Sequence, residues 1–476
     1  MVALQSTNRV KISKVRETTF GVTPATPAFK TIRQTSSALA INPKTVVSNE
    51  IRSDRQVSDL ILVGLDAGGT VGGEMSFQTM DDDMEEALQG AWSNNPNQIV
   101  TALTTTTATV AAGSTFNAGM LVLASGFATS ANNAATFVVA SSTSTSVVFP
   151  ISSFIAEATP PATASIRVVG FQGASGDLVA VTAGGNKITS TTLDFTTLGL
   201  VPGQWIRPNG FATISNNDFC RVSAIAAHIL SLDRVPSGWV ADTGSAVVVS
   251  IYVGDFLING TTLRSNTIER QYLDQSPVTY EYLTGQTLDQ FSIDASAQKI
   301  ATYIKTYIGA SGLTQTSRFA GATDIAAATS GVLNTAANVG RIGFDGSNIT
   351  GPNYVMAAKL DIKNNLRRQA AVGSISAIGI GNGEFTVSGS LDTYFGDKTV
   401  LDKIINNTLT SFDIRLGKTD ANKDALLFDF PSIKLSAGSP SVSGKNADVH
   451  LTASFQAILS ATYGYTMSIS RFWFLP

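Results

Sequence analysis

Residues 299–308, KIATYIKTYI, alternate strictly: Ile300, Thr302, Ile304, Thr306 and Ile308 fall on one side of an extended chain, and Ala301, Tyr303, Lys305 and Tyr307 on the other. A period of two belongs to a strand with two different faces. In residues 448–455, Val449, Leu451, Ala453 and Phe455 alternate with Asp448, His450, Thr452 and Ser454. Sheets with one buried face each are the expected result. Helical spacing is scarce. In residues 79–92, Met80, Met84, Ala87, Leu88 and Ala91 share a face while acids crowd the first turns. A second helix is expected after Asp397, which can cap it, with Val400, Leu401, Ile404 and Ile405 facing inward and Asn406 and Asn407 ending it.

Each helix follows the same kind of text. SNEIRSDRQ (48–56) leads to GGEMSF (72–77), and KNNLRRQ (363–369) leads to NGEFTV (382–387). Phrase, strand and helix recur in one order, which reads as one supersecondary unit used twice. Its polar residues Glu50, Arg52, Asp54, Arg55, Arg367 and Arg368 are too hydrophilic for a core. Their recurrence suggests an inter-subunit contact, where arginine binds carboxylates bidentately; a solvated loop is the plainer alternative.

Composition changes the picture between the copies. Residues 96–255 hold 12 charged side chains, against 55 in the remainder. Within that stretch GFATSANN (126–133) resembles GFATISNN (210–217) at an offset of 84 residues, which suggests two small β modules in tandem. The expected division is a first unit over 1–95 and 256–312, inserted modules over 96–172 and 173–255, a linker arm over 313–341, and a second unit over 342–476.

A net charge of -3 indicates neither a basic nucleic-acid binder nor an acidic tail. One cysteine, Cys220, leaves no internal disulfide, and the first residues lack a signal-peptide pattern, so folding in a reducing cytosol is expected. No apolar run reaches 18 residues, and no membrane-spanning helix is expected. Catalytic raw material is thin. The two histidines, His228 and His450, sit apart in strand-like text, and the glycine-rich stretches at 68–73 and 379–383 lack the lysine and helix of a phosphate loop. Asp81, Asp82, Asp83, Glu85 and Glu86 lack calcium-loop spacing and read as acids favoured at a helix N-terminus. No cofactor, metal or catalytic residue is expected.

These landmarks, with RETTFGVTPATPAF (16–29), LRSNTIERQY (263–272), YLTG (282–285) and the closing strand to Phe455, Gln456 and Ala457, resemble the major tail tube proteins of long, non-contractile-tailed bacteriophages. The resemblance covers roughly residues 10–95 and 256–476. It implies a mainly β chain: two tail-tube-type β-sandwich or barrel domains, each with one flanking helix, plus the inserted modules, which are similar to the immunoglobulin-like modules that decorate tail proteins. It further implies a virion protein made in the host bacterial cytoplasm that stacks in rings to form a hollow tube for double-stranded DNA. Tape-measure and terminator proteins would set its length. Two units per chain suggest trimeric rings, with hexameric rings as the alternative. The lumen should be neutral or acidic so that it does not grip DNA; Glu74, Glu384 and Asp392, on the repeated strands, are candidates for its wall, though each could as easily face the outside. The modules could meet the host surface. Rival readings are a surface adhesin or carbohydrate-binding protein, and a glycan-cleaving enzyme built on paired carboxylates.

Overall fold

The computed structural model describes residues 4–113, 115–133, 136–150, 153–349, 351–420 and 422–476. The chain is mainly β. Its first set of elements is β1 (Val10–Arg16), β2 (Ala40–Val47), β3 (Leu60–Glu74), α1 (Asp81–Leu88), β4 (Asn266–Tyr272), β5 (Thr279–Ser296), β6 (Thr302–Gly309) and β7 (Ser311–Gln315). The second set is β8 (Val339–Phe344), β9 (Val355–Lys363), β10 (Thr386–Tyr394), α2 (Thr399–Ile405), β11 (Leu409–Gly417), β12 (Ala425–Ala437), β13 (His450–Ala457) and β14 (Ser468–Phe472).

Hydrogen-bonded neighbours in the first unit run β1-β4-β5-β6-β3-β2. In the second they run β8-β11-β12-β13-β10-β9. The last strand of each unit, β7 or β14, returns beside the first half of the long strand, β5 or β12. Even the irregularities match: β5 shifts register between Leu288 and Gln290 where it meets β6, and β12 between Leu435 and Ala437 where it meets β13. A bulge takes one residue out of a ladder and bends the strand there, so its recurrence fixes the residue-to-residue correspondence of the two units. Gln290 corresponds to Ala437, Tyr307 to Phe455, and Leu39 to Leu360.

The two units are one sheet. The second half of β5, Gln290–Ser296, pairs antiparallel with Ala357–Lys363 of β9, so eight strands run without a break as β2-β3-β6-β5-β9-β10-β13-β12. Tyr303, Ile293, Leu360, Phe455 and Leu435 on one face are buried in a single core with Met84 and Leu88 of α1 and Val400 of α2. Alternation along β6 resolves with Ala301, Tyr303, Lys305 and Tyr307 inside, and Ile304 left half exposed.

The first helix is shorter than its sequence pattern, while the second spans Thr399–Ile405 and ends at Asn406, as its pattern predicts. α1 ends at Leu88 because Gln89 turns left-handed at φ 48°. In α2 only Val400 is fully buried; Leu401 and Ile404 are partly buried, and Ile405 points out at 69% exposure, one residue past the inward stripe. Asp397 does assist the helix start, its Oδ1 accepting from the Thr399 amide at 2.8 Å.

Strands between Asn97 and Val253 form a separate sheet with its own core. The sequence repeat is a structural one: Asn133 accepts from the Phe127 amide and donates to the Phe127 carbonyl, and Asn217 does the same to Phe211. This segment docks on the second unit. Leu121, Leu123, Val169, Trp205, Phe219 and Tyr252 pack on Ala425, Leu427, Phe472 and Leu475. The arm between the units is held by specific contacts where its composition suggested a loose crossing. Arg318 clamps Glu269 with two bonds of 2.8 Å, Phe319 lies 4.2 Å from the Tyr282 ring, and Thr323–Ile325 adds as a parallel strand to residues 28–30.

Candidate functional site

The face of the eight-stranded sheet opposite the core is polar. One row across it reads Glu74, Thr302, Asp294, Lys359, Ser390, Ser454. The next reads Gly72, Ile304, Ser292, Asp361, Ser388, Gln456, Lys434. Glu74, Asp294, Asp361 and Asp392 supply negative charge; Lys359, Lys363 and Lys434 balance most of it. Lys359 Nζ sits 3.4 Å from Asp294, and Asp361 accepts from Ser292 Oγ at 2.5 Å and Gln290 Nε2 at 3.0 Å. The surface is thus covered by short hydroxyl and amide groups whose charges are largely answered by neighbours.

Glu74 and Asp392 stand on this face; Glu384 precedes β10 on the same parity, exposed. Asp392 accepts from Thr452 Oγ1 at 3.2 Å. Glu74 and Glu384 are not counterparts. Glu74 ends β3 and corresponds to Tyr394, because Thr302 and His450, their partners in β6 and β13, are themselves equivalent.

The polar phrases lie in the corresponding β2–β3 and β9–β10 connections. Arg52 pairs with Asp54 through Nε at 3.0 Å and Nη2 at 2.7 Å at an exposed tip. Glu50 is exposed beside it, and Arg55 turns the chain at φ 59°. Around that tip Val46, Val47, Ile51, Val57, Leu60, Ile61, Leu62 and Val63 are exposed between 47% and 98%. This two-stranded ribbon has apolar side chains and nothing over them. Arg367 is exposed and donates to the Asn382 carbonyl. Arg368 is used within the chain: Nε donates to Gly309 O and Nη2 to Ala67 O, both at 2.9 Å, with Asp66 at 3.6 Å. It fastens the second unit's connection to the first unit's sheet.

Two free edges end the eight-stranded run. Residues 36–42 pair with β3 on one side and with no described strand on the other; close approach there needs Gly69, whose Cβ would meet Ala38 O at 2.1 Å. At the far end Ala437 and Pro440–Ser441 pair with β13 alone.

Sequence reasoning accounted for the acids of α1 by the helix N-terminus alone, and the structure adds buried partners. Asp83 and Glu86 are buried, with Lys14 Nζ at 2.6 and 2.9 Å from them, Lys305 Nζ at 3.0 Å from Asp83, and Tyr307 O–H donating to Asp83 at 3.2 Å. Burial alone would raise the Asp83 pKa, but the two ammonium charges outweigh it and hold that carboxyl well below its usual range. Burial pushes Glu86 up and Lys305 down. Lys14 and Lys305 stand in strands, far in sequence from the helix, so no local signal showed them.

A second buried charge cluster ties the inserted segment to the second unit. Arg221, 1% exposed, reaches both Asp429 oxygens at 3.2 Å and Asp233 at 2.6 Å, and Arg341 pairs with Asp413. Burial and the neighbouring Asp413 carboxylate push Asp429 up to about 6 despite Arg221. Cys220 is buried beside this cluster. Its thiol is pushed up by burial. His228 Nδ1 faces the Leu193 carbonyl and His450 stacks near Tyr394. Among the described residues no group of side chains could hold a metal ion, and no helix is long and apolar enough to cross a membrane.

What stands out is therefore a duplicated sheet with one polar face and two open edges, the class of protein whose working parts are surfaces for its own kind. The chain belongs to the family of phage tail tube proteins: the family's sequence profile, described as "Phage tail tube protein", matches residues 7–457. That membership makes it a structural protein of the phage virion tail. A search of curated proteins gives no match.

Proposed function

We propose that three copies of this chain close into a ring, and that rings stack into the hollow tube through which phage DNA passes. The observation that carries this reading is the β5–β9 seam. Two equivalent units already sit edge to edge within one chain, and the counterpart of each partner in that seam is free at the opposite end. A repeated operation that leaves complementary edges open must either close or extend.

Strand arithmetic makes three the smallest ring with room for a duplex. At ~4.8 Å between strands and ~40° tilt, sixteen strands from two chains span ~32 Å between backbones, which side chains of ~5 Å reduce to the ~20 Å of a double helix with no water layer. Twenty-four strands from three chains span ~48 Å and leave a passage of ~38 Å. Among the described residues the polar face is the one free to line it, since the other packs on the helices. Glu74, Asp392 and, at its rim, Glu384 then face the lumen, and Lys359, held by Asp294, is not free to grip phosphate. Each unanswered Lys or Arg would bind the backbone and release counterions, slowing passage.

The tip of the ribbon, with Glu50, Ile51, Arg52, Asp54, Arg55 and Val57, supplies the ring-to-ring contact, and the inserted segment lies outside the wall. Electron microscopy of the purified protein tests the reading: hollow cylinders with a regular axial repeat are expected, and solitary particles at all concentrations would remove it.

A further inference from the structure

The bulge correspondence says more than that edges are free; it assigns which residues meet. Within the chain, Asp294 lies opposite Lys359, Ser292 opposite Asp361 and Gln290 opposite Lys363. Asp294 corresponds to Ser441 because both face equivalent residues, Thr302 in β6 and His450 in β13. Ser36 and Ser37 correspond to Ala357 and Ala358 because they face Gly72 and Val71, the counterparts of Asp392 and Leu391. Continuing in step, Ala38 takes the place of Lys359 and Asn42 that of Lys363.

Resting on the ring reading above, we propose that residues 437–443 of one copy pair antiparallel with residues 36–42 of the next, with Ser441 opposite Ala38, Ser439 opposite Ala40 and Ala437 opposite Asn42. The occupant of each free edge is thus a second copy of this chain, in a register fixed by the seam it already contains. Both stretches fit an edge-to-edge contact: residues 441–443 are exposed, Val442 at 79%, and the outer side of 36–42 carries small side chains.

The two seams differ in chemistry where the strands run on. In the internal seam that position is held by Arg368, reaching Gly309 O and Asp66. In the seam between copies the same step along the edge is Val47, next to Val46, and the residues following Ala457, the counterpart of Gly309, are Ile458 and Leu459. All four are exposed in the single chain, at 47%, 52%, 37% and 65% respectively. An arginine clamp inside the chain is replaced between chains by an apolar strip, which is covered only when the ring closes.

Paired cysteines test the register. Alternate residue pairs in an antiparallel ladder differ in geometry, so two variants are used, Ala38→Cys with Ser441→Cys and Ser37→Cys with Val442→Cys. Oxidised tubes of at least one variant are expected to give a non-reducing ladder, while each single variant gives none; buried Cys220 stays silent. A ladder ending at three chains supports both seam and ring count. One running to six supports the seam and overturns the count. Well-formed hollow tubes in which neither pair cross-links overturn the seam alone, whereas absence of tubes in the unmodified protein overturns the ring reading itself. Where a cysteine variant does not assemble, Leu459→Asp decides: tube formation lost with thermal stability of the single chain unchanged, and regained on adding Val47→Lys, is expected, and no recovery contradicts the seam.

Discussion

The two units share strand order and bulges, yet what lies beneath their helices is opposite in character. Asp83 and Glu86 are buried on α1, whereas α2 turns only apolar side chains, Val400, Leu401 and Ile404, toward the core. Lys305 matches Ala453, Tyr307 matches Phe455, and Lys14, through its place opposite Ile268, matches Phe344 opposite Phe412. The three strand members of the first unit's network thus have apolar counterparts in the second, and the helix above them is apolar on its inner side as well. One strand arrangement thus carries a set of paired charges in one unit and a set of hydrocarbons in the other. A buried charge left alone costs several kcal/mol, while a complete pair and a well-packed apolar replacement are often close in energy. Fold in this protein resides in the strand ladder and its bulges; the filling is interchangeable by sets.

The sharpest way to break that comparison is to leave the set incomplete. Asp83→Asn leaves Lys305 without a carboxylate and Lys14 with Glu86 alone, and is expected to destabilise the chain by ~3–5 kcal/mol in chemical denaturation. A loss under ~1 kcal/mol would mean that water reaches the network.

Acid should reproduce that loss in the unmodified protein. Asp83 is held below its unfolded value, so its contribution is complete above about pH 5 and drains away as pH falls below about 4. The gap between the unmodified chain and Asp83→Asn is expected to narrow over that range in urea titrations at fixed salt, and a gap that stays constant would contradict the buried pairing.

Converting the whole set is expected to do less harm than breaking it. Lys14→Phe, Asp83→Leu, Glu86→Ile, Lys305→Ala and Tyr307→Phe together should leave stability within ~2 kcal/mol of the starting chain. Losses that simply add would show that the network is required by the first unit's geometry. Arg368→Ala removes charge-assisted bonds to two carbonyls and should cost ~1–3 kcal/mol, measured by thermal unfolding, with no counterpart at Val47 in the single chain. The smallest effect expected is at Ile405, outside both cores, where Ile405→Ser should change stability by less than ~0.5 kcal/mol.

Much of this was legible in the sequence. Alternation in residues 299–308 and 448–455 marked strands that are β6 and β13, and the recurring order of phrase, strand and helix marked two copies. What alternation did not say is which face goes in. In β6 it is the face with Lys305, because its charge is answered by Asp83, which is more than 200 residues away. The acids of α1 read as no more than N-terminal helix acids for the same reason: their partners Lys14 and Lys305 become neighbours only through the sheet. The match of Glu74 with Glu384 followed short-range likeness and was out of register: Glu74 ends its strand, whereas Glu384 precedes the strand whose last residue, Tyr394, is the true counterpart. The linker read as loose because its Ala, Thr and Gly content hid one fastening residue, Arg318. Neither the internal seam nor its free counterparts had a sequence signal, because strand edges are backbone features.

The central claim, that one chain carries two equivalent segments of a closed wall, is tested most directly by a reconstruction of the assembled tube at a resolution that separates strands. Three chains per ring are predicted, with twenty-four strands in one continuous barrel, the row from Glu74 to Ser454 facing the lumen, and β5–β9 indistinguishable in path from the seam between copies. Six chains per ring, or a wall whose inner surface is formed by any other face of the sheet, would contradict it.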